Sequence, residues 1–234
     1  MSEMAESGVK SQTVAMDASP GEFPYVVKLN LLDETYPKTV PGLVVSGRYL
    51  LTSNEANVNG NVSNMEIIDQ LGVFRTPFKI QQIVSALFTY VKFCRIFRGT
   101  KFPMTASLFN DLSTNVSATV IFFNNTSPVP RKVAAIAYDS VTCDTAEKFG
   151  DTTKKICMKK DDTVGFCTIF TDSSSGPTTT YQWYLMLAIN GQVQGVNANI
   201  WCNANGDMGG HFLFDNINSY RSDIINAIPS VDIK

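Results

Sequence analysis

The chain has 234 residues, 44% of them hydrophobic, and its 19 Lys and Arg nearly balance its 21 Asp and Glu, leaving a net charge of −2. So apolar and weakly charged a chain is not disordered, and without a basic excess it is not expected to bind nucleic acid, which needs cations to neutralise phosphates. It carries five cysteines and one histidine; zinc sites built on two or three His are impossible, and any His-dependent acid–base step must run through His211.

In chain order, residues 1–15 read as a flexible polar tail containing Glu3 and Glu6, without the apolar run of a signal peptide. Short apolar or alternating runs follow at 25–32, 43–52, 65–73, 79–97, 116–123, 133–138, 166–170, 181–189, 192–200 and 211–214. Turn residues separate them, among them Val40-Pro41-Gly42, Asn59-Gly60, Asn190-Gly191 and Asn205-Gly206-Asp207. Many short strands with regular turns predict an all-β sandwich or barrel. Asn190-Gly191 is the strongest hairpin signal, because a type I′ turn needs positive φ at both central residues. The spacing of Ile217, Tyr220, Ile224, Ile225 and Ile228 predicts one closing helix, capped by Asn216 or Asn218, ended by Pro229 and packed on its own domain. No stretch reaches the ~18 apolar residues of a membrane span, so no membrane contact is expected.

Pro20-Gly21-Glu22-Phe23-Pro24-Tyr25-Val26-Val27-Lys28-Leu29 resembles the first strand of the chymotrypsin-like (trypsin-like) serine protease family. Val40-Pro41-Gly42-Leu43-Val44-Val45-Ser46-Gly47-Arg48-Tyr49-Leu50-Leu51-Thr52-Ser53-Asn54-Glu55-Ala56 is similar, without a gap, to its Cys-Gly-Gly-Ser-Leu-Ile-Ser-x-Arg-Tyr-Val-Leu-Thr-Ala-Ala-His-Cys. Both cysteines of that pattern are replaced together, by Val40 and Ala56, as loss of a disulfide requires. Thr171-Asp172-Ser173-Ser174-Ser175-Gly176-Pro177 resembles the nucleophile loop Gly-Asp-Ser-Gly-Gly-Pro, and Tyr220-Arg221-Ser222-Asp223-Ile224 the start of the terminal helix.

The resemblance covers about 20–230. It implies two six-stranded antiparallel Greek-key β-barrels with a C-terminal α-helix. A tail at 1–15 would precede a single domain at 16–234, with the first barrel at about 20–115, the second at about 116–215 and the helix at about 216–228. It also implies the disulfides Cys143–Cys157 and Cys167–Cys202, each worth roughly 2–4 kcal/mol. Four cysteines allow three pairings. Cys94 is left over as a buried thiol.

The departures fall on the chemistry. In the family a Ser attacks, a His takes its proton and an Asp orients the His. Glu55 stands at the His position, and a carboxylate is a poor base for a hydroxyl. Phe102 stands at the Asp position, with Asp111 as the nearby alternative. Either Ser173 or Ser174 takes the nucleophile position, depending on where an insertion between Cys167 and Pro177 falls. Of the glycines that turn this loop and present N–H groups to the oxyanion, only Gly176 is kept. The activation tetrapeptide falls on Gln12-Thr13-Val14-Ala15, with no Arg or Lys just before it. Gly165 stands at the floor of the specificity pocket, so a trypsin-like carboxylate is absent. The family's Ser-Trp-Gly edge, which pairs with substrate backbone, falls within 196–200 and is not kept.

Read together, these changes predict a proteolytically inactive homologue, similar to inactivated protease paralogues of parasitic mites. It would need no metal or cofactor and would act by binding a protein partner, for example to regulate or inhibit a protease or complement-like cascade. The alternatives are a structural, storage or adhesion protein on the same scaffold, and a residual hydrolase. The implied disulfides point to secretion, whereas the polar N-terminus taken as written points to the cytosol. Sequons at Asn61, Asn115 and Asn124 (overlapped by one at Asn125) mark possible N-glycosylation. Glu55 reads as a solvated residue rather than a new catalytic acid, and the lysines at 154–160 as a solvated loop rather than an anion site. Phe93, Phe97, Phe102 and Phe109 read as barrel core. The Ser/Thr-rich run 171–180 is either disordered or an insertion filling the old cleft.

Overall fold

β-Branched and aromatic side chains dominate the apolar runs, and they suit a pleated surface better than a helix. The computed structural model describes residues 15–31, 38–46, 49–53, 65–68, 74–75, 80–84, 88–93, 116–123, 127–138, 154–158, 180–201 and 212–228. Their strands are β1 (Met16–Asp17), β2 (Val26–Leu31), β3 (Lys38–Ser46), β4 (Tyr49–Ser53), β5 (Met65–Ile68), β6 (Phe74–Arg75), β7 (Ile80–Val84) and β8 (Phe88–Phe93). They continue with β9 (Val116–Phe122), β10 (Arg131–Tyr138), β11 (Lys155–Met158), β12 (Thr180–Ile189), β13 (Gln192–Trp201) and β14 (Phe212–Asn216).

Two expected runs are each two strands. The run at 43–52 spans the end of β3 and most of β4, which pair with Ser46 opposite Tyr49. The run at 79–97 holds β7 and β8, again antiparallel. β11 is too short to stand out in the sequence, and the run at 166–170 lies outside the described residues.

All pairings are antiparallel, in two sheets. In the second half of the chain β9, β10, β11, β14, β13 and β12 follow one another, and β12 pairs back onto β9, closing a six-stranded barrel. β1 pairs with the start of β10, Met16 opposite Lys132 and Asp17 opposite Arg131. β9 lines the whole of one edge of β10, so β1 and β11 share its other edge, β11 at the far end beside Ala137 and Tyr138. The first half forms a seven-stranded sheet in the order β6-β5-β2-β3-β4-β8-β7. Among the described residues it is not closed. Without β6, its order β5-β2-β3-β4-β8-β7 matches β12-β9-β10-β11-β14-β13 strand for strand. Each is a Greek key in which the fourth strand returns beside the first.

The hairpin between β12 and β13 turns as predicted, with Asn190 at φ 52° and Gly191 at φ 73°. The chain closes with a 3-10 turn, Ile217–Tyr220, running directly into helix α1, Arg221–Ala227. Asn216 caps the turn, its side chain accepting the Asn218 N–H at 3.0 Å. Ile217, Tyr220, Ile224 and Ile228 are buried as expected. Ile225 is the correction: it is 43% exposed. At ~100° per residue it lies about a quarter turn from the stripe of Ile217, Tyr220, Ile224 and Ile228.

Among the described residues two large apolar clusters stand out, beside a small one at Tyr138, Cys157 and Leu213. One fills the closed barrel, with Val120, Val133, Ile156, Met158, Leu187 and Phe214 at its centre. The other is the seam between the halves. Val26, Leu43, Val45 and Leu51 of the first sheet meet Ile121, Met186, Val193 and Val196 of the barrel there, and the closing helix covers them with Tyr220 and Ile224. Two polar contacts reinforce this join. Tyr25 O–H donates to the Gly191 carbonyl, and buried Lys28 donates to the Ser127 carbonyl at 3.2 Å.

Candidate functional site

The resemblance places the site between the two halves, so the strands of both walls frame it. β4 forms the wall that leads to Glu55. Tyr49, Leu50, Leu51 and Thr52 are buried, and Thr52 Oγ1 donates to the Pro41 carbonyl of β3 at 2.9 Å. β3 and β8 pair with the two edges of β4. The strand is paired up to Ser53, through β8 at its end, and Glu55 follows two residues later in the sequence.

Glu55, Phe102, Asp111, Ser173, Ser174, Gly165 and His211 lie outside the described residues, as do Cys94, Cys143, Cys167, Cys202, Asn61, Asn115 and Asn124. Cys157 is described. It sits on β11 opposite both Tyr138 and Leu213, is fully buried and is disulfide-bonded, with its partner cysteine outside the described residues.

The second wall is the β12–β13 hairpin, and β13 carries the 196–200 segment. β14 pairs with β13 at Val196 and Asn199. β12 pairs with it from Ala198 to Trp201, setting Trp183, Gln182, Tyr181 and Thr180 opposite Ala198, Asn199, Ile200 and Trp201. The expected run at 181–189 covers this stretch except Thr180. Thr180-Tyr181-Gln182-Trp183, β-branched and aromatic, is the strand signal there.

Charged groups gather where the amino-terminal segment meets the barrel. Glu22 accepts from Lys132 Nζ at 2.6 and 2.7 Å and from the Ser19 N–H at 2.8 Å. The Lys132 hydrogen bond holds its carboxyl below the usual range. Arg131 donates to the Ala15 carbonyl at 2.9 Å and pairs with Asp17. Burial, assisted by the Glu22 charge, pushes the Tyr25 phenol up to about 12, so it stays a hydrogen-bond donor. Burial lowers the Lys28 pKa. Lys155 pairs with buried Asp215 across β11 and β14. None of these groups lies on the described part of β4 or on the 196–200 segment. Among the described residues, no group of three or more His, Cys, Asp or Glu could hold a metal.

No sequence-family profile matches the chain, and no curated protein does. Solved structures do. A scabies mite inactivated protease paralogue superposes with a TM-score of 0.65 at 14% identity, over 92% of this chain and 98% of its own. An HL collagenase gives 0.64 at 15%, over 92% and 97%. Kallikrein-related peptidase 10 gives 0.63 at 12%, over 92% and 100%. With the closed barrel, the second sheet and the single C-terminal helix, these likenesses define the fold as that of the trypsin-like serine proteases. At such identities they speak for the fold and not for an activity.

Proposed function

We propose that this chain is a proteolytically inactive serine protease homologue, secreted, that acts by binding protein, such as regulating or inhibiting a protease or complement-like cascade. One observation carries the reading: the chain has a single histidine, and in the sequence it does not follow the strand that the family's base follows. The family's base follows the strand that is β4 here, and Glu55 stands at that position. His211 instead stands one residue before β14 in the sequence, and β14 belongs to the other barrel. A Ser–His mechanism needs the imidazole within hydrogen-bond reach of the hydroxyl, and its members do not act separately. The superposition on an inactivated mite paralogue is compatible with this reading, and so is that on a collagenase.

The test uses the full chain with peptide and ester substrates and a serine-directed fluorophosphonate probe. No turnover above buffer and no labelling are expected. Labelling at Ser173 or Ser174 sinks the proposal. Glu55→His alone is expected to restore no turnover, because the orienting Asp and the oxyanion glycines remain replaced. Non-reducing peptide mapping should recover Cys143 with Cys157 and Cys167 with Cys202; any other partner for Cys157 overturns that pairing.

A further inference from the structure

The two halves of β12 have different partners. Met186 to Ile189 pair with β13 on one side and with β9 on the other, and so close the barrel. Residues 180–183 lie beyond that closure and, among the described residues, pair with β13 alone. A register shift between Trp183 and Met186 separates the halves. Tyr184 and Leu185 there face the single residue Asn197, the arrangement of a β-bulge, which re-aims a strand. The barrel therefore closes without residues 180–183, and these residues extend the strand along the segment of β13 that follows Gly195.

That segment is the one aligned with the substrate-pairing edge. A strand has two edges, and an incoming extended peptide needs one of them free to add by backbone hydrogen bonds. At 198–200 β12 lies along one edge, and β14, pairing at Asn199, occupies the other. We propose that residues 180–183 form an internal strand in the place of substrate backbone, closing the 196–200 edge to an extended peptide. The protein's partner then docks elsewhere than by strand addition in the old cleft. This inference rests on the same alignment as the pseudoprotease reading.

The test is residue-resolved amide hydrogen exchange on the full chain. Successive N–H groups of a strand point to opposite edges. With both edges paired, all the amides of 198–200 exchange slowly, by ~100-fold or more against unpaired amides, and so does every second amide of 180–183. Protection of only alternate amides at 198–200, or unprotected rates throughout 180–183, overturns the proposal. Tyr181→Pro and Gln182→Pro supply a control, because only one of the two removes a donor aimed at β13. Acceleration at 198–200 in just one of them supports the internal strand, and no acceleration in either folded variant overturns it. The fluorophosphonate probe separates the two readings. Slow exchange with labelling keeps the internal strand and ends the pseudoprotease reading, whereas fast exchange without labelling does the reverse.

Discussion

Gly195 sits where β13 passes between two large side chains. A Cβ there would lie 2.8 Å from the Phe214 Cβ and 3.0 Å from the Leu187 Cβ. Both obstacles are first side-chain atoms fixed to neighbouring strands, so the backbone itself would have to move. Gly195→Ala is expected to destabilise the fold by about 1–3 kcal/mol, read from urea unfolding midpoints. Glu22 gives a prediction in pH. Its folded pKa lies below the usual 4.5 because Lys132 hydrogen-bonds the carboxylate. A lowered carboxylate pKa contributes stability that is present above the ordinary value and is lost as pH falls through the folded value. The difference in stability between the native chain and Glu22→Gln should therefore stay constant above about pH 6 and shrink below the ordinary carboxylate pKa. It should be small, because both partners are partly exposed. Urea midpoints between pH 7 and pH 3 check it, and a difference that grows with acidity contradicts the assignment.

Strands and turns show which signals the sequence carries on its own. Asn190-Gly191 was legible because a two-residue I′ turn demands residues that tolerate positive φ, a local requirement. The C-terminal helix was legible from its apolar spacing, but its exact face was not. Ile217, Tyr220, Ile224 and Ile228 share one face, and Ile225, ~100° further round than Ile224, falls in solvent. Ile224→Ala should cost about 2–5 kcal/mol and Ile225→Ala less than about 0.5 kcal/mol, by thermal or urea unfolding. Similar losses would show that Ile225 shares the buried face. The division of β12 at its bulge was not legible, because Thr180 to Trp183 and Met186 to Ile189 are equally strand-like in composition. What separates them is the strand on the far side, β9, and that partner is more than sixty residues away in sequence.

The two halves share one strand order and meet in one apolar seam, in which Val26, Leu43 and Leu51 pack with Ile121, Met186 and Val196. A seam that continuous should make them unfold as a unit. Both tryptophans, Trp183 and Trp201, lie on the β12–β13 hairpin in the second half of the chain, whereas far-ultraviolet circular dichroism reports on both sheets. The two signals are expected to give coincident urea transitions. Separated midpoints would show that the halves unfold independently.

What the amino-acid sequence determined by itself was whatever rests on local chemistry. It shows the strand-rich texture, the Asn-Gly turn, the capped closing helix and one histidine in the whole chain. What only the tertiary structure decided depends on partners distant in sequence. It decided that β12 returns to β9 to close the barrel, that both halves use one strand order, and that Gly195 has no room for a methyl group. It also decided that the 196–200 segment is already paired. Backbone hydrogen-bonding groups are the same in every residue, so the identity of a strand's neighbour is not written in the strand, and only the folded arrangement assigns it.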